Sequence, residues 1–457
     1  MPMGCYQDPT EGHGILIIFN YKKAMHIFST KRGLDFFSRK LLSKYIILFS
    51  YSLGCLFILM SWKLNAQETD SYKMVGGKIS SEVLQRYLAR SITQAEFLAS
   101  DSFYNDGIYP YKEDDIRMLK YIGAKFIGRA VYSWGKEEIF AAPAFWRNAQ
   151  DLMQQLHNFD PTMIFQAAIF EIVTSKVNGL TVPAWVFEAF DKPVEHRNFR
   201  YDDMLNEQGV FLNHWREGSS VPDISKLETQ LYFYYLAVRY MQIGIEAIHF
   251  GQAELMAMED RKQDYKAWQY LLSKVRQAAT KHSRRGVILC DAHLPNGGIA
   301  VGGHLLFDFV SFPLRLKEIP NRPQEVSLEK DYLDAIYGKT IGGVTPSGWP
   351  CERSPYLVEF DNFGISKHRD EANLQDHYAW GYDEISWFSK QDQAYQNQFL
   401  KYAQEWVTQN DTVGYLQMPG SRIITGLSSN RFRANTKSER CPLGRNVEQA
   451  IKEIWDN

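Results

Sequence analysis

The sequence contains no Cys-x-x-Cys pair, no Gly-x-Ser-x-Gly turn, no Gly-x4-Gly-Lys-Ser/Thr loop and no repeat of fixed period. Its five cysteines, Cys5, Cys55, Cys290, Cys351 and Cys441, show no zinc-binding spacing. Without the Ser turn and the phosphate loop, an α/β-type serine hydrolase and a nucleoside-triphosphate enzyme lose their carriers. A surplus of one charge is missing too: 51 Lys and Arg face 53 Asp and Glu, for a net charge of −2. That balance argues against a nucleic-acid surface. Aromatic residues, by contrast, are plentiful at 14%, with 11 Trp and 26 Tyr among 457 residues. Rings pack cores, and they also suit flat apolar ligands such as sugar faces.

Arg39, Lys40 and Lys44 precede the apolar block 45–60, and Leu64-Asn65-Ala66 then leads into polar sequence. The order basic, apolar, small is that of a secretory signal, with cutting expected after Ala66 and export of the rest. The block falls short of the roughly 20 residues that span a bilayer, so no stable membrane span is expected after cleavage. Two competing readings are an uncleaved anchor and, because Cys55 follows Ser-Leu-Gly, a lipoprotein signal. The leader, 1–66, holds 8 basic and 3 acidic residues, which leaves 43 and 50 beyond it and a net charge near −7. Three cysteines remain there, with room for one disulfide.

Residues 67–115 predict an N-terminal helical lead-in, because Leu, Ile and Met recur every three or four positions in SSEVLQRYLARSITQAEFLAS and EDDIRMLKYIG. The remainder, 116–457, alternates short β-rich runs with helical ones. Strand candidates are FIGRAVY, MIFQAAI, IEAIHF, VILCD, LLFDFVSF, YLVEFD, HYAWGYDEISWF and GYLQM, with an insertion, 171–228, after the second. Eight strands with helices between most of them predict a (β/α)8 barrel, and a doubly wound open sheet gives the same alternation. The Gly-rich GGIAVGG near Gly297–Gly303 is expected as a flexible active-site loop. Arg129, inside a strand that must be buried, needs a carboxylate partner, for which Asp308 or Glu246 is available.

Many strand candidates end in polar groups, as GIEAIHFGQAELM does at His249, Gln252 and Glu254. In a parallel barrel such ends meet at one face, where sites lie. Glycosidic cleavage needs two carboxyl groups about one bond, one protonated and one ionised. Glu254 is assigned as the acid and Glu359 as the nucleophile or base, with Asp291 and Asp361 in reserve. Around them Trp134, Glu171, His249, Gln252, His293, Asn362, Trp380, Asp383, Glu384 and Gln417 are candidates for binding sugar hydroxyls or stacking on a ring. Strand-end acids also cap helices or pair with Lys and Arg, so each candidate has a structural alternative.

In architecture, residues 116–425 resemble a barrel-type glycoside hydrolase. The largest clan of such enzymes carries Asn-Glu at the end of its fourth strand and Glu at the end of its seventh. Here Ala253-Glu254 stands in place of Asn-Glu, and the strand count puts Glu254 after the third strand and Glu359 after the sixth. The resemblance implies a glycan or oligosaccharide substrate, no cofactor and no metal. Two other classes stay open. One is a non-catalytic glycan-binding barrel. The other is a metal-dependent barrel hydrolase using His249, Asp291, His293 and Asp361, although FIGRAVY lacks the His-x-His such enzymes often carry on their first strand.

Overall fold

The computed structural model describes residues 71–99, 112–428 and 431–457. The expected leader lies outside them, and one compact unit runs from Thr69 to Asn457. Eight parallel strands make its main sheet: β1 (Ser91–Gln94), β2 (Phe126–Val131), β3 (Ile164–Ala168), β4 (Ala247–His249), β5 (Leu289–Asp291), β6 (Val310–Pro313), β7 (Tyr356–Glu359) and β8 (Gly414–Ile423). They are joined in the order β6-β7-β8-β1-β2-β3-β4-β5. Backbone bonds from Asp308 N to Cys290 O (2.8 Å) and from Ser311 N to Ala292 O (3.1 Å) bring β5 to β6, so the ring closes. The fold is a (β/α)8 barrel.

The helices are α1 (Ser81–Ala89), α2 (Lys112–Ile122), α3 (Pro143–Phe159), α4 (Leu227–Gln242), α5 (Lys266–His282), α6 (Gln393–Asn410) and α7 (Glu448–Asp456), with shorter turns between them. No long helix covers the β5–β6 or β6–β7 connection. There the Gly-rich stretch, expected as a flexible loop, forms the hairpin Ala300–Val301 with His304–Leu305, inside a four-stranded sheet completed by Gly343–Val344 and Pro350–Cys351. Cys290 and Cys351 are free thiols, so no disulfide joins two of the three cysteines beyond the leader.

The strand total matches expectation, but two members differ. Ser91–Gln94 reads as a continuation of the preceding helix, since Leu84, Leu88 and Ile92 keep four-residue spacing. It is instead β1, paired with both β2 and β8. The lead-in therefore contributes the barrel's first strand. HYAWGYDEISWF is not a strand: Trp380 (φ +52°) and Gly381 (φ +81°) break it, and Asp383 caps a helix, Glu384–Lys390, by accepting from Ser386 N. Renumbering around the ring moves the insertion to follow β3, Glu254 to follow β4 and Glu359 to the end of β7.

Inside the ring the layers differ in character. The lower one holds Phe126, Ile164, Ala247, Leu289, Phe309 and Leu357, packed with Leu84, Tyr87 and Leu88 of α1, which closes that end of the barrel. Phe126 and Phe309 meet edge to face at 5.8 Å across it. One pleat further along each strand the inward positions are Thr93, Gly128, Gln166, His249, Asp291, Ser311, Glu359 and Gln417. Branched apolar side chains usually fill such layers. Here every side chain of the upper layer is polar, with glycine in the remaining place. The outward residues between them, such as Ile127, Phe165, Ile248, Val310, Val358 and Leu416, pack in the core that holds the helices.

Candidate active site at the barrel mouth

Glu359 ends β7 with none of its surface exposed. Its Oε1 accepts from Arg129 Nη2 and from His293 Nε2 (2.8 Å), and its Oε2 accepts from Arg422 Nη1 at 2.5 Å. Burial alone would raise its pKa, but Arg129 and Arg422 hold the carboxyl well below its ordinary range. Arg422 also binds Asp361 and donates through Nε to Asn362 Oδ1 at 2.8 Å. Burial opposes ionisation of Asp361 as well, and Arg422 again prevails, so this carboxyl too lies below its ordinary value.

Arg129 reaches this cluster because its backbone is unusual. It lies in β2 at φ +57°, where the register with β3 shifts between Ile127 and Val131, and its N–H donates to Gln166 Oε1 at 3.1 Å. A bulge with one left-handed residue re-aims a side chain that would otherwise alternate outward. Its partner is Glu359. The two carboxylates expected for it are engaged elsewhere: Asp308 with Arg276 and Cys290 N, and Glu246 with Arg284 and Arg285.

A second network lies beside the first. Asp291 Oδ1 accepts from Gln166 Nε2 (2.7 Å), while Oδ2 accepts from Ser311 Oγ (2.7 Å) and His249 Nδ1 (2.8 Å). With its proton assigned to Nδ1, the His249 ring leaves Nε2 as an acceptor, and that atom is buried with no hydrogen-bond partner among the described residues. Burial first, then Arg129 and His293, push the His249 pKa well below the ordinary value, which keeps the ring neutral. Burial pushes Asp291 up to about 7. The rings of His249 and His293 are 4.8 Å apart, so the two networks touch.

Glu254 sits on the turn after β4. Its carboxylate accepts from Asn296 Nδ2 at 2.9 and 3.2 Å and lies 3.6 Å from Arg261 Nη2, with 11% of the side chain exposed. Glu171 shapes that turn: Oε2 accepts from Gln252 N and Oε1 from Gln252 Nε2, both at 2.9 Å. Gly251 lies at φ +46°, and a Cβ there would stand 1.9 Å from Glu171 Oε2. Only glycine fits.

Rings line one side of the mouth. Trp134, 41% exposed, stands edge-on to Phe170 (5.3 Å) and Trp215 (5.0 Å), and the Trp215 indole donates to Glu171 O at 3.0 Å. Phe170 in turn lies under the Arg129 guanidinium (5.6 Å) and against His249 (5.9 Å).

Sequence-expected residues therefore fall into groups. His249, Asp291, His293, Glu359, Asp361 and Asn362 share the connected networks. Gln417 joins the same layer, accepting from Thr93 Oγ1 at 2.8 Å, and Gly128 makes room for it. Glu171, Gln252 and Glu254 form the β4 turn. Trp380, Asp383 and Glu384 serve the scaffold instead. Trp380 is buried, with its indole donating to Glu325 O at 3.0 Å, and Asp383 is a helix cap that also accepts from Gly364 N. Glu384 accepts from the backbone of Leu314, Arg315 and Asp361, and burial raises it to about 7.

Arg422, Ser311 and Thr93 were not foreseen. Arg422 follows Pro419-Gly420, which reads as a strand end, yet β8 runs ten residues through it. Gly420 permits this, because a Cβ there would stand 2.5 Å from Gln94 Oε1. Among the described residues no group of three His, Cys, Asp or Glu is placed to hold a metal ion.

No family model and no curated protein matches the chain. Solved structures do. A GH2 β-galacturonidase from Eisenbergiella tayi aligns at 11% identity over 80% of this chain and 50% of that chain, with a TM-score of 0.39. A GH113 β-1,4-mannanase aligns at 11% identity over 81% of this chain and 99% of that one, also at 0.39. The glycoside hydrolase domain of PelA from Pseudomonas aeruginosa aligns at 9% identity over 66% and 90%, at 0.33. All three carry glycoside hydrolase names. The fold assignment of this chain rests on its own strand order.

Proposed function

We propose that this barrel hydrolyses glycosidic bonds, with Glu359 as the ionised carboxylate at the anomeric carbon and Glu254 as the proton donor to the leaving oxygen. The observation that carries the reading is Glu359 itself: an acid buried at the C-terminal end of β7 and kept charged by Arg129 and Arg422. Cleavage of this kind needs one carboxylate that stays ionised at the pH where its partner is protonated. With the ring numbered correctly, Glu254 and Glu359 follow the fourth and seventh strands, the positions used by the largest clan of barrel glycoside hydrolases. Asp291 fixes the tautomer of His249, whose buried Nε2, unused by the described residues, stays an acceptor below the mouth. Asp291, saturated by three donors, is a positioning residue in this scheme, and Asp361 orients Arg422.

A second reading, a barrel that binds glycans without cutting them, draws on the same clamp. Both oxygens of Glu359 are occupied by cations or by His293, and a carboxylate so neutralised is a weak nucleophile. The experiment is a screen of the chain against a glycan panel, alongside Glu254→Gln and Glu359→Gln. Sugar release by the wild type that either substitution abolishes supports the hydrolase. Release undiminished in both variants removes the assignment, and binding without release by the wild type supports the second reading. Export is part of the proposal and rests on the leader sequence alone.

A further inference from the structure

The mouth carries a second aromatic group, on the other side of Glu359. Phe363, 37% exposed and four residues past Glu359, packs its ring against Tyr378 at 5.3 Å, and the Arg315 guanidinium lies 5.8 Å from its ring. Phe170 and Trp215 follow β3 and Trp134 follows the neighbouring β2, whereas Phe363 follows β7. In the order β6-β7-β8-β1-β2-β3-β4-β5, β3 and β7 are four steps apart, the full diameter of an eight-membered ring, and β2 and β7 are three. The carboxylate cluster thus has exposed rings on both sides. A pocket for one terminal sugar needs a wall on one side of the cleavage point and a closed end on the other. Rings on opposite rims instead offer flat apolar faces to sugars both before and after the bond in question.

From this arrangement we infer that the occupant is a polysaccharide chain of neutral sugars, laid across the mouth from the Trp134 side to the Phe363 side and engaged at internal units. The inference takes from the hydrolase reading only the place of cleavage. Neutral sugars fit because the three guanidinium groups beside Glu359 and Phe363 each already face a carboxylate, although Arg129 Nε and Nη1 are buried without a hydrogen-bond partner among the described residues. Arg129 and Arg422 serve Glu359 and Asp361, and Arg315 serves Asp334. The two rings stand on opposite sides of Glu359, so each should govern grip on a chain.

The test is native affinity electrophoresis of the full chain in gels containing galactomannan, xyloglucan, hydroxyethylcellulose or soluble starch, with Trp134→Ala and Phe363→Ala alongside. Both side chains are exposed, so the variants should fold as the wild type does. The expected result is retardation of the wild type by at least one polymer. Each substitution should weaken that binding by about three- to tenfold, the worth of one ring contact. Failure of every polymer to retard the wild type, or equal retardation of all three proteins, overturns the inference. Analysis of products from the retarding polymer separates it from the hydrolase reading. Retardation that depends on both rings, without any sugar release, keeps the chain-binding cleft and removes the hydrolase. Release of monosaccharide alone, undiminished in both variants, keeps the hydrolase and removes the cleft.

Discussion

Replacing Glu359 by Gln should cost stability as well as activity, and the contrast with Glu254→Gln measures how the site is built. Among the described residues Glu359 is the only carboxylate that Arg129 binds, and the Arg129 side chain is only 3% exposed. Without that charge the Arg129 guanidinium faces only a neutral amide where its carboxylate stood, while Arg422 keeps Asp361. Leaving one buried ion uncompensated costs about 3–5 kcal/mol, a large part of the roughly 5–15 kcal/mol that holds a typical domain folded. Glu254 faces Asn296 and an Arg261 whose side chain is 54% exposed, so losing its charge should cost only about 0–1 kcal/mol. Urea unfolding midpoints with a common slope give the difference directly. Sugar release by Glu254→Gln should fall by about a hundredfold or more, with the midpoint nearly in place. A Glu359→Gln protein within about 1 kcal/mol of the wild type would refute the argument, because the clamp would then carry no buried charge worth balancing.

Three further expectations follow from the same contacts. Burial raises Asp291 from 3.8 to about 7, so the stabilisation its neutral form provides is fully present below pH 3.8 and is lost as pH rises through about 7. Relative to Asp291→Asn, the wild type should therefore lose stability between pH 5 and 8, and an offset between their unfolding midpoints that does not change over this range would count against it. Gly251→Ala should destabilise by about 1–3 kcal/mol and reduce sugar release by shifting Glu254. Adding Glu171→Ala removes the 1.9 Å clash, so a single variant as stable and active as the wild type would contradict the role given to Glu171. Finally, the chain expressed in an exporting cell should appear outside the cytoplasm with Gln67 as its first residue. Retention with an intact leader would rule out cleavage there.

Alternation of β-rich and helical runs made the barrel legible from the residues, and polar strand ends such as His249, Asp291 and Glu359 marked the rim. Both are local signals: a strand's composition reports what its two faces meet. The first strand escaped because it is four residues long and turns polar Ser91 and Thr93 inward, so it offers no apolar run and its Ile92 extends the spacing of α1. HYAWGYDEISWF misled in the opposite way, since its rings fill the core from a loop and a short helix.

What the sequence determined by itself was the alternation of strands and helices and the presence of acids at strand ends. Which cation meets which acid was decided only by ring closure. Arg129 and Glu359 are 230 residues apart, and β2 and β7 are held across the barrel by strands between them. A partner chosen at that separation depends on register, on the left-handed bulge at Arg129 and on the run of β8 through Gly420 to Arg422. None of these leaves a periodic trace in the chain, because each is a property of backbones packed against one another.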